Sequence, residues 1–281
     1  MWGLIHMRIR ATVAAVSGAL ALSALAVPAA HADGTAHGFS FPSLTKRTAA
    51  PADDAEGDTT ISSVVVNAGK PVVLGTTSKL TVKVTLTAND PSGIYDADAL
   101  LYHGTYPNAV DGAETSVKAC GAKNAATYTC TLTYSFTSKE TVYKNGLAGT
   151  WKVAAYAVGQ DGDFVEKDAL KTFKVLRTSK VTVNAAPEPV KKGRTITVTG
   201  SLTLANWETH KYGGYAGQKV ALQFRKAGTT NYVNVKGITS SRTGSLKTTV
   251  KAAQDGYYRF NFIGSPTAAP VVAAGDHVDV K

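Results

Sequence analysis

From Ile61 onward, apolar and polar side chains alternate with a period of two. Leu80, Val82, Val84 and Leu86 fall on one side while Thr81, Lys83, Thr85 and Thr87 fall on the other. Tyr128, Cys130, Leu132, Tyr134 and Phe136 form a second such run, and Trp151, Val153 and Ala155 a third. This period puts alternate side chains on opposite faces of a strand, and no stretch of helical period competes with it. The pattern predicts strands over 61–67, 79–88, 98–103, 114–120, 127–136, 150–158 and 168–176. It returns later in the chain: Ile196, Val198 and Leu202 alternate with threonines, and Val220, Leu222 and Phe224 with Lys219, Gln223 and Arg225. Tyr258, Phe260 and Phe262 alternate with Arg259 and Asn261, and a last strand ends on Val278 and Val280. Short strands separated by turn clusters predict an all-β fold, with one immunoglobulin-like β-sandwich in each half.

The organisation follows from what flanks these strands. Arg8 and Arg10, the small apolar run Ala11–Val27 and the Ala30-His31-Ala32 end read as a signal peptide over 1–32. No cysteine stands near that end for lipid anchoring, so the mature chain is expected to be secreted or wall-associated, without membrane insertion after cleavage. Residues 33–60 are rich in Ala, Pro, Asp and Gly with few large apolar groups, and read as a disordered spacer. The sandwiches are then expected over 61–178 and 179–281. Cys120 and Cys130 are the chain's two cysteines. Their closeness in an exported chain predicts a structural disulfide that staples a hairpin, unlike the inter-sheet bridge of antibody domains.

Two loop sets are candidates for function. Ala205-Asn-Trp-Glu-Thr-His-Lys-Tyr-Gly-Gly-Tyr-Ala-Gly-Gln218 connects two strands of the second half and carries Trp207, Tyr212 and Tyr215. In an immunoglobulin-like order this loop faces the preceding domain, so the three rings are expected to fill the interdomain seam. A stacking platform for sugar rings or another planar ligand, and a self-packed surface loop, are the alternatives. In the first half, Asp90, Asp96 and Asp98 fall in or beside one loop, and Asp161, Asp163 and Glu166 in or beside another. Both loops belong at the free outer end, where six carboxyl groups are a candidate calcium site, since calcium takes oxygen ligands from irregular loops. The same residues also make ordinary turns, because Asp accepts local backbone bonds and Gly permits positive φ. No EF-hand spacing is present.

The formal net charge is +10, and the excess sits in the second half, where 14 Lys and Arg stand against 5 Asp and Glu. Lys219, Arg225, Lys247, Lys251 and Arg259 are read as an outward basic face for an anionic cell-wall polymer or extracellular polysaccharide. No nucleic-acid motif accompanies them, and nucleic acid is not expected as a partner. His37, His103, His210 and His277 form no His-Glu-x-x-His pattern, and neither a Gly-x-Ser-x-Gly elbow nor a phosphate-cradling loop occurs. A carboxylate pair for glycoside hydrolysis among Asp90, Asp96, Asp161 and Glu166 would need a cleft-forming insertion that the short loops do not supply. No catalytic residue is assigned, and a hydrolase or hydrolase accessory role is the least favoured reading.

Several runs carry a resemblance. Val181-Thr-Val-Asn-Ala-Ala-Pro-Glu-Pro-Val-Lys-Lys-Gly193, Thr197-Val-Thr-Gly-Ser-Leu202, Gln218-Lys-Val-Ala-Leu-Gln-Phe-Arg-Lys-Ala-Gly228, Gly244-Ser-Leu-Lys-Thr-Thr-Val-Lys-Ala252 and Asp255-Gly-Tyr-Tyr-Arg259 together resemble secreted actinobacterial proteins with tandem bacterial immunoglobulin-like modules. Ala148-Gly-Thr-Trp-Lys-Val153 is similar to a strand of such modules in the first half. The resemblance implies the sandwich fold and a non-enzymatic extracellular binding or adhesion role at the cell surface or envelope. Relatives are sometimes labelled calcium-binding, but no ligand motif carries over residue by residue.

Overall fold

Val82, Val84, Leu86, Leu132, Tyr134 and Phe136 are fully buried between two sheets, as their alternation requires. The computed structural model describes residues 53–105, 111–113 and 115–281; the expected signal peptide and the expected spacer as far as residue 52 lie outside the described residues. The first sandwich runs β1 (Asp54–Glu56), β2 (Thr60–Val66), β3 (Val72–Leu74), β4 (Lys79–Asn89), β5 (Ile94–His103), β6 (Asp111–Ala113), β7 (Thr115–Cys120), β8 (Thr127–Thr137), β9 (Gly149–Gly159) and β10 (Phe164–Arg177). One sheet has the order β2-β4-β8-β7, and the other β1-β10-β9-β5-β6, with β3 parallel to β10. This is an immunoglobulin-like order in which the first long strand switches sheets. The switch occurs where Asn67 and Ala68 adopt positive φ and Asn67 Nδ2 donates to the carbonyls of Lys70 and Pro71, each at 3.1 Å.

Trp151 sits at the centre of this core, 5.2 Å from the Phe136 ring and 6.2 Å from Phe173, with its Nε1 donating to the Leu147 carbonyl at 2.8 Å. The disulfide joins facing residues of the neighbouring strands β7 and β8, with a Cα separation of 4.0 Å. It therefore stabilises one sheet edge and does not tie the two sheets together.

The expected spacer ends too late. Asp54–Glu56 pairs antiparallel with the start of β10, and Thr59 is buried. Backbone pairing, which needs few apolar side chains, holds this stretch, so composition alone misreads it.

The second sandwich runs β11 (Ser179–Val181), β12 (Asn184–Ala186), β13 (Thr195–Asn206), β14 (Lys211–Gly214), β15 (Lys219–Lys226), β16 (Val233–Thr239), β17 (Ser245–Lys251), β18 (Gly256–Phe262), β19 (Val271–Val272) and β20 (Asp276–Val278). In one sheet β13 is flanked by β11 and β12 on one side and by β14 and β17 on the other. The second sheet has the order β16-β15-β18, with β19 and β20 both on the far side of β18. Ile196, Val198, Leu222, Phe260 and Phe262 close the core between them.

Only Thr178 separates β10 from β11. Its N–H donates to the Leu74 carbonyl at 2.9 Å, and its own carbonyl accepts from the Ala205 N–H at 2.9 Å. Trp207, carried by the second sandwich, is fully buried within the first sandwich's core cluster. Truncation of Trp207 to alanine is expected to cost about 3–5 kcal/mol, the range for emptying a large buried aromatic site. Calorimetry should show the two sandwiches melting as one transition in the native chain and as two in Trp207→Ala; a single unshifted transition in the variant would contradict this coupling.

Candidate functional site

Three segments converge at the outer end of the first sandwich. The β4–β5 turn brings Asp90, the β9–β10 turn brings Asp161 and Asp163, and the β1–β2 turn brings Asp58. One carboxylate oxygen from each of the four lies within 4.8 Å of the others. Asp90 is buried, and its Oδ1 accepts from the Ser92 N–H at 2.8 Å and from the Ser92 hydroxyl, while Oδ2 accepts from the Thr59 hydroxyl. Asp163 Oδ2 accepts from the Asp58 N–H at 3.0 Å, and Asp161 Oδ1 from the Asp163 N–H at 3.2 Å. Two glycines leave room for the group. A Cβ on Gly159 would stand 2.4 Å from Asp90 Oδ2 and 2.7 Å from Asp161 Oδ1, and one on Gly57 would overlap the Asp163 carboxylate.

Electrostatics divide these carboxyls. Partial desolvation, together with the charges of Asp90, Asp163 and Asp161, raises the Asp58 pKa from its ordinary value. Burial on its own would raise Asp90 as well. The bonds from Ser92 and Thr59 outweigh it and hold that carboxyl below its ordinary value.

The expected ligand set is therefore redrawn. Asp96 and Asp98 lie within β5 and Glu166 within β10, because both strands begin earlier than the alternation indicates. Lys118 pairs with Asp96 and with Asp98, and the Tyr156 hydroxyl donates to Asp96 at 2.9 Å. Glu166 stands opposite Asp54 in the ladder. Asp58 joins the set instead, and its Gly57-Asp58 turn, similar to the other two Asp-containing turns, was the signal that could have found it.

Of the three rings expected in the seam, Trp207 fills the first sandwich's core, whereas Tyr215 packs against the second sandwich's own core and Tyr212 lies on β14, because the chain turns back into a strand after His210. Trp207 Nε1 donates to the Leu74 carbonyl at 3.3 Å, and the His210 ring nitrogen Nδ1 lies 3.1 Å from the Thr76 carbonyl. Asn145 Oδ1 accepts from the Trp207 N–H and from Arg177 Nη1, both at 3.0 Å. Tyr215 meets Phe262 edge-on at 5.8 Å and shares a hydrogen bond with Ser265, and Lys180 Nζ stands 3.9 Å over the half-buried Tyr212 ring.

The five basic residues do not share a face. Lys219 and Arg225 on β15 and Arg259 on β18 point outward from the β16-β15-β18 sheet, whereas Lys247 and Lys251 lie on β17 in the opposite sheet. Strand alternation within each half cannot reveal which sheet a strand joins. On the first of these faces the arginines are held by rings. The Arg225 guanidinium is 4.0 Å from the Tyr257 ring and 5.3 Å from Tyr232, and that of Arg259 is 3.6 Å from Tyr232. Arg259 Nε also donates to Gln223 Oε1 at 2.8 Å. Among the described residues neither arginine forms an ion pair with a carboxylate; the pairs there are those of Lys118, of Lys167 with Asp53 and of Lys281 with Asp279.

No family model matches the chain, and no curated protein does. Solved structures similar to it include the D00-D0 domain of intimin, at 15% identity and a TM-score of 0.24 over 76% of this chain and 98% of that one. The Yersinia pseudotuberculosis adhesin InvE is similar at 13% identity and a TM-score of 0.25, over 78% of this chain and 58% of that one. Domains A168-A170 from titin are similar at 10% identity and a TM-score of 0.24, over 79% of this chain and 68% of that one. Likenesses this distant assign neither an activity nor a partner, and the immunoglobulin-like order rests on the strand pairing above.

The raised Asp58 pKa has a consequence for stability. A carboxyl that binds its proton more tightly when folded lowers stability as pH rises from its unfolded value through its folded one. In chelator, Asp58→Asn should melt higher than the native chain at pH 7, and the advantage should vanish below the ordinary carboxylate pKa. Equal melting temperatures at neutral pH would mean that the four carboxylates do not repel one another.

Proposed function

We propose that this chain is an extracellular, non-catalytic binding module that engages an anionic envelope polymer through the outer face of the β16-β15-β18 sheet. The observation that carries the reading is the pair Arg225 and Arg259, fixed by Tyr232 and Tyr257 and lacking a carboxylate partner among the described residues. A guanidinium oriented by rings loses little freedom when it meets a carboxylate or phosphate, and its planar fork suits either. The disulfide supports an oxidising compartment, where such polymers are met. Exposed charge contacts contribute about 0.2–1 kcal/mol each. The double variant Arg225→Gln/Arg259→Gln should then co-sediment several-fold less with purified bacterial cell walls, and added salt should reduce binding of the native chain. Undiminished binding by the variant, or binding indifferent to salt, would sink the reading.

A second reading is favoured by the four-carboxylate cluster: a calcium ion held by Asp58, Asp90, Asp161 and Asp163 that rigidifies the outer end of the first sandwich. The donors are hard oxygens of the kind calcium takes, and the ion would offset the mutual repulsion of the four carboxylates. Calcium at about 100 times its dissociation constant would stabilise the fold by about 2.7 kcal/mol. The native chain should melt several degrees higher in calcium than in chelator, and Asp90→Ala/Asp161→Ala should abolish the difference. An unchanged melting temperature at millimolar calcium removes this reading.

A further inference from the structure

Beside the two arginines the same outer face opens into a groove of about 480 Å³, lined by Lys219, Ala221, Asn234, Gly237, Asn261 and Ile263 among others. Its composition differs from that of the rest of the sheet. The floor is small, because Ala221 on β15 stands between Gly237 on β16 and Asn261 on β18. One wall is apolar, since Ile263 is 80% exposed. Asn234 and Asn261 flank this floor on the neighbouring strands, and Asn234 Oδ1 accepts from Gln223 Nε2 at 2.9 Å. That glutamine also accepts from Arg259, so Asn234 and the arginine belong to one hydrogen-bonded row.

The register sets the spacing. Outward residues of β15 follow one another as Ala221, Gln223 and Arg225, opposite Asn261, Arg259 and Tyr257 of β18. Two residues of strand advance about 6.6–6.8 Å, so Arg259 and Arg225 stand about one and two such steps from Ala221 on the groove floor. A ligand lying along the strands thus meets Lys219, then a small-floored trough flanked by Asn234 and Asn261, then Arg259, then Arg225 between tyrosines. Amides and a small apolar floor suit the hydroxyls and the C–H face of a sugar ring, and guanidinium groups suit an anionic substituent further along the chain. A polyphosphate or an oligoglutamate has no ring to fill the trough.

We infer that the groove is a sugar subsite, and that the ligand of this face is an acidic polysaccharide with one ring over Ala221 and Gly237 and an anionic group on Arg259. This inference rests on the reading of the face as anion-binding. Gly237 provides the test. It lacks positive φ, and a Cβ there meets nothing within 4 Å, so Gly237→Val fills the trough without clashing with the fold.

The experiment is calorimetric titration of the full chain with a short oligogalacturonate, with tripolyphosphate and with an oligoglutamate of matched charge. Gly237→Val should weaken the oligogalacturonate about tenfold, or about 1.4 kcal/mol, and tripolyphosphate by less than about twofold. Arg259→Gln should weaken both. The sugar subsite is overturned if Gly237→Val leaves the oligogalacturonate unaffected or weakens both ligands equally. It is overturned too if the oligoglutamate binds as well as the sugar and responds equally to Gly237→Val. The outcomes separate the two levels of the argument: an indifferent Arg259→Gln sinks the anion reading of the face, whereas an indifferent Gly237→Val sinks only the sugar subsite.

Discussion

The insertion of Trp207 into the base of the first sandwich is the contact on which the arrangement of the two sandwiches depends. An indole is large enough to close a core and carries one N–H that must be satisfied when buried. The Leu74 carbonyl satisfies it, and the same carbonyl accepts from Thr178 at the junction. Asn145 completes the joint by bonding to the Trp207 and Arg177 N–H groups, to Asn206 Oδ1 and, through its own N–H, to Glu208. With a single residue between β10 and β11, these bonds leave little freedom at the junction. Trp207 is thereby committed to structure.

That commitment moves the candidate chemistry elsewhere. An immunoglobulin-like sandwich has two ends, and the seam uses the base of the first and the entry end of the second. The outer end of the first sandwich remains, and the strand order brings three turns together there, so that Asp58, Asp90, Asp161 and Asp163 meet although Asp58 and Asp163 are far apart in the chain. The second sandwich offers instead a sheet face. There the ring-held arginines and the small-floored groove are neighbours because β15 pairs with β16 on one side and β18 on the other.

Much of this was legible in the residues. The alternation at Leu80–Leu86 and Tyr128–Phe136 marks two buried strand faces without any knowledge of the partner strand, because a two-residue period has one structural meaning. The nearness of Cys120 and Cys130 foretold their pairing. The short strand Val72–Leu74 escaped, since its pairing with β10 is parallel and distant in sequence and leaves no local signature. Asp58 escaped because a stretch of small and acidic residues resembles a spacer until β10 is seen to hold it.

The basic residues mark the boundary most clearly. That Lys219, Arg225, Lys247, Lys251 and Arg259 alternate outward is local, and one strand suffices to establish it. That Lys247 and Lys251 point from the opposite sheet, while Tyr232 and Tyr257 collect around the two arginines, depends on which strands pair. Periodicity, charge and cysteine spacing by themselves determined two all-β halves, a local disulfide and a basic second half, since each is written within a few consecutive residues. Only the tertiary structure decided which carboxylates meet and which cations share a face, because contacts between residues distant in the chain are set by sheet order and register.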